Sequence, residues 1–313
     1  MKKILLLPVV MLGLILSAMA QDETPAESTK AAKKKVKVTF NATKIINNQS
    51  VEIVSPGTLQ FMISHHFSSL WVKDGGSQNL GQLFGLNSGV AQTYLSFDYS
   101  PAKFLNLGLA GAGRSRYEGW AKFRLTRQET GKGGMPVSLG WYSLAHVTTA
   151  KDPDITLDWN RWSFLHQLMI ARKFSDKFAL QLMPTVVHFN TVPYGINNSN
   201  LVYSIGLAGK YKLTSNKNLT FEYNRQLNMY ENLITKSGAV VSYNPDLISI
   251  GLELNTGGHL FQFFVGNTVQ SSLIDQLARN PMRPDDSYSK FNFSNVSFGF
   301  TINRSMGLKK DKE

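Results

Sequence analysis

His66 and Ser68 are the first residues in this 313-residue sequence whose spacing could support catalysis. Residues two apart share one face of an extended strand, and a serine hydroxyl needs a base such as histidine to become a nucleophile. A third, orienting Asn or Asp is also needed, and no neighbouring segment offers one in register. We therefore interpret the pair as the polar end of a strand, and the sequence predicts no catalytic residue.

Neither the histidines nor the aspartates form a metal-binding motif. The loop residues Asp152, Asp154 and Asp158 lack the glycine and terminal glutamate of a calcium loop and are expected to keep the loop solvated. The absence of cysteine excludes disulfides, thiolate metal sites and a lipid-modified cysteine. The sequence predicts neither a metal nor a cofactor, since no i, i+4 or clustered spacing is found among His65, His66, His146, His166, His188 and His259.

The N-terminus has the pattern of a secretory signal peptide. Lys2 and Lys3 precede an apolar run over residues 4–16, and Ala18 and Ala20 form a small-residue cleavage site. The run is shorter than the ~20 residues that a spanning helix needs. The pattern predicts a signal peptide over residues 1–20, with cleavage after Ala20.

Residues 21–57 are predicted to be a periplasmic lead-in, disordered in part. Their first half is rich in Glu, Thr, Ala and Lys, with little to bury, and includes the basic cluster of residues 33–35. Short apolar alternations over residues 36–54 predict a small hairpin at the periplasmic mouth of the following domain. The net charge is +12, but the basic residues are not interleaved with aromatic residues as they are in a nucleic-acid groove. No nucleic acid is therefore expected as a partner.

From Thr58 onward, segments of about ten residues alternate between apolar and polar side chains, which is the period of a strand. A strand tilted by ~45° needs about this length to cross a bilayer. The pattern predicts an all-β fold, a transmembrane antiparallel up-and-down β-barrel over residues 58–308 with a charged tail over 309–313. About twelve strands are expected, centred on residues 58–67, 91–100, 105–116, 118–128, 137–148, 163–174, 178–190, 200–212, 217–227, 246–255, 259–268 and 294–304.

The connections alternate between short and long, as periplasmic turns and external loops do in outer-membrane barrels. Tight turns are predicted at residues 101–104, 175–177, 213–216 and 256–258, and long loops at 68–90, 149–162, 228–245 and 269–293. Residues 129–136 are long for a periplasmic turn. The alternative is an exported soluble sandwich or lipocalin-like barrel, which seldom needs ten-residue strands throughout. We favour the outer membrane, with its lipid as the surrounding partner.

The sequence also resembles a family of uncharacterised membrane-bound β-barrel proteins of Bacteroidetes. The similar stretches are spread over most of the mature chain and lie at residues 45–52, 63–67, 128–137 (QETGKGGMPV), 171–176, 181–185 and 256–262. The resemblance implies a barrel in the outer membrane. It implies no activity, substrate or catalytic residue.

Strand parity predicts that charged side chains of both signs face the lumen, namely Asp98, Lys122, Arg124, Lys210, Lys212, Glu222 and Glu253. Such a lumen is either a narrow aqueous channel or a space closed by salt bridges, and strand number does not decide between them. We predict a passive channel for small polar solutes with a weak preference for anions. The alternatives are a structural or partner-binding barrel without conductance, and, ranked last, a membrane-embedded hydrolase. The sequence therefore favours a protein that is not an enzyme.

Overall fold

The computed structural model describes residues 33–69, 92–113, 115–150, 158–191, 199–228, 230–234, 240–243, 246–278 and 296–308. The predicted signal peptide, the first part of the lead-in, Asp152, Asp154, the side chain of Ser68 and the tail lie outside these residues.

Twelve antiparallel strands form a closed barrel, and each pairs with the wall strand that follows it along the chain. The last strand pairs with the first, from Gly307 opposite Thr58 to Ser297 opposite Ser69. The wall strands are β2 (Thr58–Ser69), β3 (Gln92–Ala102), β4 (Leu105–Gly111), β5 (Arg116–Thr126), β7 (Ser138–Thr148), β8 (Trp162–Lys173), β9 (Phe178–Phe189), β10 (Leu201–Lys212), β11 (Lys217–Gln226), β14 (Asp246–Asn255), β15 (Leu260–Gly266) and β16 (Ser297–Gly307).

Four shorter strands lie outside the wall. β1 (Lys34–Lys35) pairs with β6 (Glu129–Thr130), and β12 (Tyr230–Ile234) pairs with β13 (Val240–Tyr243) within the β11–β14 connection. Within the described residues, a short 3-10 helix covers Asp158–Arg161 and one α-helix, α1, covers Leu273–Ala278.

The alternation of side chains gives the wall two chemically different faces. On β3 and β4 the outward residues Phe97 and Leu109 are 49% and 69% exposed, whereas Asp98 is buried. Outward apolar side chains are the rule for a barrel that contacts lipid. All twelve predicted wall strands are confirmed, and the largest discrepancy is β4, which ends at Gly111 because the chain turns through Gly113 and Ser115 at positive φ.

The two ends of the barrel differ in their connections. We call the end with the tight turns at residues 103–104, 174–177, 213–216 and 256–259 the short-turn end, and the opposite end the long-loop end. The connection between β5 and β7 is the exception at the short-turn end. Its extra length is explained by pairing: β1 lies antiparallel to β6, and Val36 donates a backbone hydrogen bond to Gln128. We call residues 34–36 the strap.

Beyond the strap the chain enters the barrel. Residues 39–54, which we call the plug, are almost entirely buried inside the wall, including Phe40, Ile45, Asn48 and Val51. The expected hairpin is present as an isolated bridge between Lys44 and Gln49. Its predicted position at the mouth is corrected, because its polar groups find their hydrogen-bond partners on the inner wall.

The helix α1 enters the lumen from the other end. It belongs to the connection between β15 and β16, and all six of its residues are buried. Leu273, Ile274 and Leu277 share one buried apolar cluster with Ile45 and Val51 of the plug. The helices within the described residues include none that is both long and apolar enough to cross a bilayer.

Candidate functional site: a filled lumen

The tip of the plug is anchored on Glu222, which lies near the middle of β11. One carboxylate oxygen of Glu222 accepts hydrogen bonds from the backbone amides of Ile46, Asn47 and Asn48, at 2.8, 3.1 and 3.0 Å. The other oxygen accepts from the Asn47 amide at 3.0 Å and from the Asn48 side chain at 3.1 Å. Hydrogen bonds to an ionised acceptor are stronger than neutral ones, so this carboxylate holds the turn of the hairpin.

Lys122 anchors the opposite side of the plug through backbone carbonyls. Its fully buried ammonium donates to the oxygens of Thr43, Ser50 and Glu52, at 2.9, 3.3 and 3.0 Å. Three acceptors match the three donors of an ammonium group. Lys122 thereby draws together the two strands of the plug hairpin.

Glutamine side chains of the wall provide further hydrogen-bond partners for the backbone of the plug. Gln181 accepts from the Val51 amide at 2.8 Å and donates to the Gln49 carbonyl at 2.7 Å. Gln262 donates to the Ile45 carbonyl at 2.7 Å. A buried segment without regular secondary structure needs such side-chain partners for its backbone, and the lumen wall provides them.

Near the short-turn end, a salt bridge and the side-chain hydrogen bonds of an asparagine hold the plug. Arg124 forms a salt bridge of 3.1 Å with Glu52. Asn41 donates to Glu253 at 2.6 Å and accepts from the Lys210 ammonium at 3.1 Å. The plug is therefore attached to the wall through charged groups from β5, β10 and β14.

Two glycines on the inner wall make room for apolar plug side chains. A Cβ at Gly140 would lie 3.4 Å from Val51 Cγ2, and one at Gly251 would lie 3.3 Å from Ile46 Cδ1. Larger residues at these two positions would compete with the plug for the same space.

Asp98 and Lys44 belong to a second charged group near β3. Asp98 accepts from Asn106 at 2.5 Å and from the indole of Trp120 at 3.0 Å. The Lys44 ammonium lies 4.0 Å from the centre of the Tyr94 ring, a cation–π contact. Lys44 also interacts electrostatically with Glu118, Asp98 and Glu222. The plug thus brings a positive charge to a wall region rich in carboxylates.

Glu118 is an inner-wall carboxylate that the sequence analysis missed. It accepts hydrogen bonds from Tyr94 at 2.8 Å and from Ser272, and lies 3.2 Å from His146 Nδ1. It has the same parity on β5 as Lys122, so the alternation alone was sufficient to place it inside. Through Ser272 it holds the residue that precedes α1.

The remaining contacts of the inner helix link it to the wall and to the plug. Arg116 forms a salt bridge of 3.2 Å with Asp275, and Gln92 donates to Gln270 at 3.1 Å. Gln276 donates to the Asn47 side chain at 3.2 Å. This last bond joins the two inserted segments, one from each end of the barrel.

The inner wall is not uniformly polar. From β7 to β10 many inward side chains are apolar and almost fully buried. Together with α1 and the plug they form one apolar cluster, to which these four strands contribute Tyr142, Leu144, Leu165, Met169, Ala171, Ala179, Met183, Val187, Phe189, Val202 and Ala208. The other wall strands add Met62, Tyr94, Ala110, Trp120 and Leu247. The described lumen therefore contains a packed core supplied largely by β7–β10, together with a charged network.

All seven predicted lumen residues have their side chains on the inner face. Six of them contact the plug or other wall residues, and Lys212 is half-buried at the short-turn end. Their role as the lining of a pore stays a prediction.

The residues first considered for catalysis and metal binding are not assembled into a site. His66 is buried with its ring 5.1 Å from that of Phe264, and its Nδ1 has no hydrogen-bond partner. Within the described residues no group of three or more His, Asp or Glu side chains could hold a metal ion. The hydrolase hypothesis depends on Ser68, whose side chain lies outside the described residues.

Residues 40–306 match the family described as membrane bound beta barrel domain (DUF5777). The chain belongs to this family. The match begins inside the plug, so the DUF5777 domain includes most of the plug as well as the wall. A restriction of the family to Bacteroidetes stays a prediction. No curated protein matches the chain.

Several solved barrels are similar to this DUF5777 chain in fold. The NanC porin has 7% identity and a TM-score of 0.46, covering 78% of this chain and 97% of its own. The toluene transporter TodX of Pseudomonas putida has 9% identity and a TM-score of 0.33, covering 82% and 90%. The translocator domain of the autotransporter NalP of Neisseria meningitidis has 11% identity and a TM-score of 0.29, covering 82% and 90%. These similarities concern the barrel fold alone.

Proposed function

We propose that this protein is an outer-membrane barrel that passes small polar solutes, with a weak preference for anions, only when the plug has left the lumen. The observation that carries the proposal is that the backbone of the plug lies outside the hydrogen-bond ladders of the wall. Residues 39–54 precede β2 in the chain, and within the described residues their only strand-like pairing is internal, between Lys44 and Gln49. The plug can therefore leave without breaking the hydrogen-bond ladders that close the barrel.

The polarity of much of the wall supports a water-filled lumen after release of the plug. Inward residues of β2–β5 and β11–β16 are predominantly polar or charged, as in barrels that enclose water. They include Gln60, Ser64, Ser96, Asp98, Lys122, Glu222, Glu253, Gln262, Thr301 and Asn303. Water would replace the hydrogen bonds that Gln60, Lys122, Glu222, Glu253 and Gln262 now make to the plug.

The charges of the wall support only a small preference between ions. Lys122, Arg124, Lys210 and Lys212 are opposed by Asp98, Glu222 and Glu253, which leaves one positive charge, and Glu118 cancels it. The ion preference then depends on where the basic residues lie, and Arg124, Lys210 and Lys212 lie towards the short-turn end. A local excess of positive charge at a pore entrance attracts anions over a range of ~8–10 Å at ordinary salt.

The second candidate is a structural or partner-binding barrel without conductance. It is favoured by the apolar cluster that the plug and α1 share with β7–β10, because withdrawal of both segments would expose that surface to water. In this candidate the plug is a permanent part of the folded core.

The two candidate functions are distinguished by locking, deleting or loosening the plug in the purified protein. The chain has no cysteine, so Val51→Cys with Gly140→Cys introduces one pair at a site where the new Cβ lies 3.4 Å from the present Val51 Cγ2. The end of the flexible Met169 side chain, 2.8 Å from the new Cβ, must shift to admit the pair, so formation of the disulfide is verified by loss of free thiol before conductance is measured. Conductance in planar bilayers is then measured for the oxidised and reduced pair, for a deletion of residues 39–54, and for the double variant Glu222→Ala, Lys122→Met.

The channel proposal predicts little conductance for the oxidised pair and larger, frequent openings for the deletion or the double variant. The double variant retains the whole chain, and therefore covers the case in which the deletion does not fold. Folded barrels that never conduct, with the plug deleted or loosened, would establish the structural candidate instead. Ion preference is tested by the reversal potential in a salt gradient, where Lys122→Glu with Arg124→Glu should shift the preference towards cations.

A further inference from the structure

Basic side chains accumulate on neighbouring turns at the short-turn end. The turns β8–β9 and β10–β11 are adjacent, since the Lys212 amide donates to the Lys177 carbonyl at 2.7 Å. Arg172 and Lys217 lie on the outer side of the wall and Lys177 lies in the turn, and we call these three cations the basic arc. The one acidic residue of the two turns is Asp176, which pairs with Lys173 at 2.9 Å. Because Lys173 neutralises Asp176, the basic arc carries a local charge of +3.

Large apolar side chains lie between these cations and point away from the lumen. Phe174, Tyr211 and Leu213 are 43%, 44% and 51% exposed. The guanidinium of Arg172 lies 5.3 Å from the centre of the Phe174 ring. Leu213 is joined to Lys217 by a backbone hydrogen bond of 2.9 Å. Arg172 thus contacts an exposed aromatic side chain, and Lys217 lies in the same turn as an exposed leucine.

This arrangement of charge and apolar surface fits one class of partner. Aromatic and aliphatic side chains at a barrel rim lie at the edge of the acyl layer, and lysines beside them extend to the level of the headgroups. A soluble acidic partner would explain the charge, but not the exposed Phe174 and Leu213 among the lysines. An anionic phospholipid satisfies both features.

We propose that the basic arc is a binding site for anionic phospholipid headgroups in the leaflet at the short-turn end. Arg172, Lys177 and Lys217 provide the charge, while Phe174, Tyr211 and Leu213 contact the upper acyl chains. The site lies outside the lumen, so it is independent of whether the barrel conducts.

The test uses the full-length protein in nanodiscs of phosphatidylcholine containing a minor fraction of phosphatidylglycerol. The phosphatidylglycerol that stays with the protein on transfer into detergent is measured by native mass spectrometry. The variant Arg172→Gln, Lys177→Gln, Lys217→Gln is compared with Lys34→Gln, Lys35→Gln, Lys132→Gln, which removes equal charge from the exposed lysines of β1 and the β5–β7 connection at the same end.

The wild type and the control variant should retain phosphatidylglycerol in excess of its share of the bilayer. Retention by the arc variant should fall by about fivefold for each cation of the arc that contacts a headgroup. No enrichment in the wild type, or an equal fall in the two variants, would overturn the site. Binding of the wild-type arc to a soluble acidic polypeptide, without lipid enrichment, would overturn it in favour of a protein partner. Unchanged heat-modifiability on gels shows that each variant is folded.

Discussion

Glu222 on β11 and Ile46 at the tip of the plug are joined by a hydrogen bond of 2.8 Å from the Ile46 amide to the carboxylate. The same carboxylate binds the next two backbone amides, so one wall residue satisfies three consecutive donors of a buried turn. Removing a buried acceptor leaves its donors without a partner and costs more than the net value of the bonds.

Glu222→Ala should therefore weaken the seating of the plug by about 2–4 kcal/mol. We expect faster hydrogen exchange at the amides of Ile46, Asn47 and Asn48, with the amides of the wall strands still protected. Asn224→Ala is the matched control, because Asn224 lies two residues further along the same inner face and its side-chain oxygen has no hydrogen-bond partner. Equal exchange in both variants would mean that Glu222 does not hold the plug.

Lys122→Met should loosen the plug from the other side of the lumen. Methionine has a similar length but no donors, so the carbonyls of Thr43, Ser50 and Glu52 lose their shared partner. We expect a loss of about 2–4 kcal/mol, visible as a lower midpoint of heat-modifiability and as protease cleavage within residues 39–54. Lys103→Met, a substitution at an exposed position, is the control and should alter neither measurement.

Positions 249 and 250 test the two faces of β14. Ile250 is outward and 48% exposed, so Ile250→Arg places a charge against acyl chains and should cost about 2–4 kcal/mol near mid-bilayer. Ser249 is buried and accepts a hydrogen bond from Asn47 at 3.1 Å. Arginine at position 249 would be tolerated if the lumen were empty. Because the lumen is filled, the larger side chain of Ser249→Arg must displace the plug.

The two arginine variants should consequently fail in different ways. Ile250→Arg should reduce the insertion of the refolding protein into liposomes, measured as the fraction of the protein that forms the folded barrel. Ser249→Arg should insert, but with the plug accessible to protease. Normal plug protection in a folded Ser249→Arg protein would show that this part of the lumen is empty.

Cysteine labelling tests which end of the barrel faces the cell exterior. Ala150 lies in an exposed position at the long-loop end, and Asp176 in an exposed tight turn at the other. If the short-turn end is periplasmic, Ala150→Cys should react with an impermeant maleimide on intact cells and Asp176→Cys only after lysis. The reverse pattern would invert the orientation, while leaving the fold unchanged.

The barrel could be predicted from sequence because its signal is local. Lipid on one face and polar groups on the other impose a period of two, as in β14, where the exposed Ile250 alternates with the buried Ser249. The parity that gave Lys122 and Glu222 also gives Glu118. What parity cannot give is the partner of an inward side chain.

The plug could not be predicted because its stabilising contacts are not local. Asn47, Asn48, Gln49 and Ser50 resemble a surface turn, and the carboxylate that binds the first two lies more than 170 residues away in sequence. The length of the β5–β7 connection was the one local hint, since it provides the partner of the strap.

The position of the plug in the chain also bears on how the barrel is assembled. Residues 55–57 are all that separate the plug from β2, and β2 forms the closing seam with β16, the last strand. Until that seam forms, the curved sheet is an open trough that residues 39–54 can enter from the side, with no need to thread through a finished cylinder. The charged groups of Lys122 and Glu222 then gain their partners before closure removes them from water. Variants that weaken these contacts should therefore reduce the yield of assembled barrel during biogenesis, before any change in the properties of the mature protein.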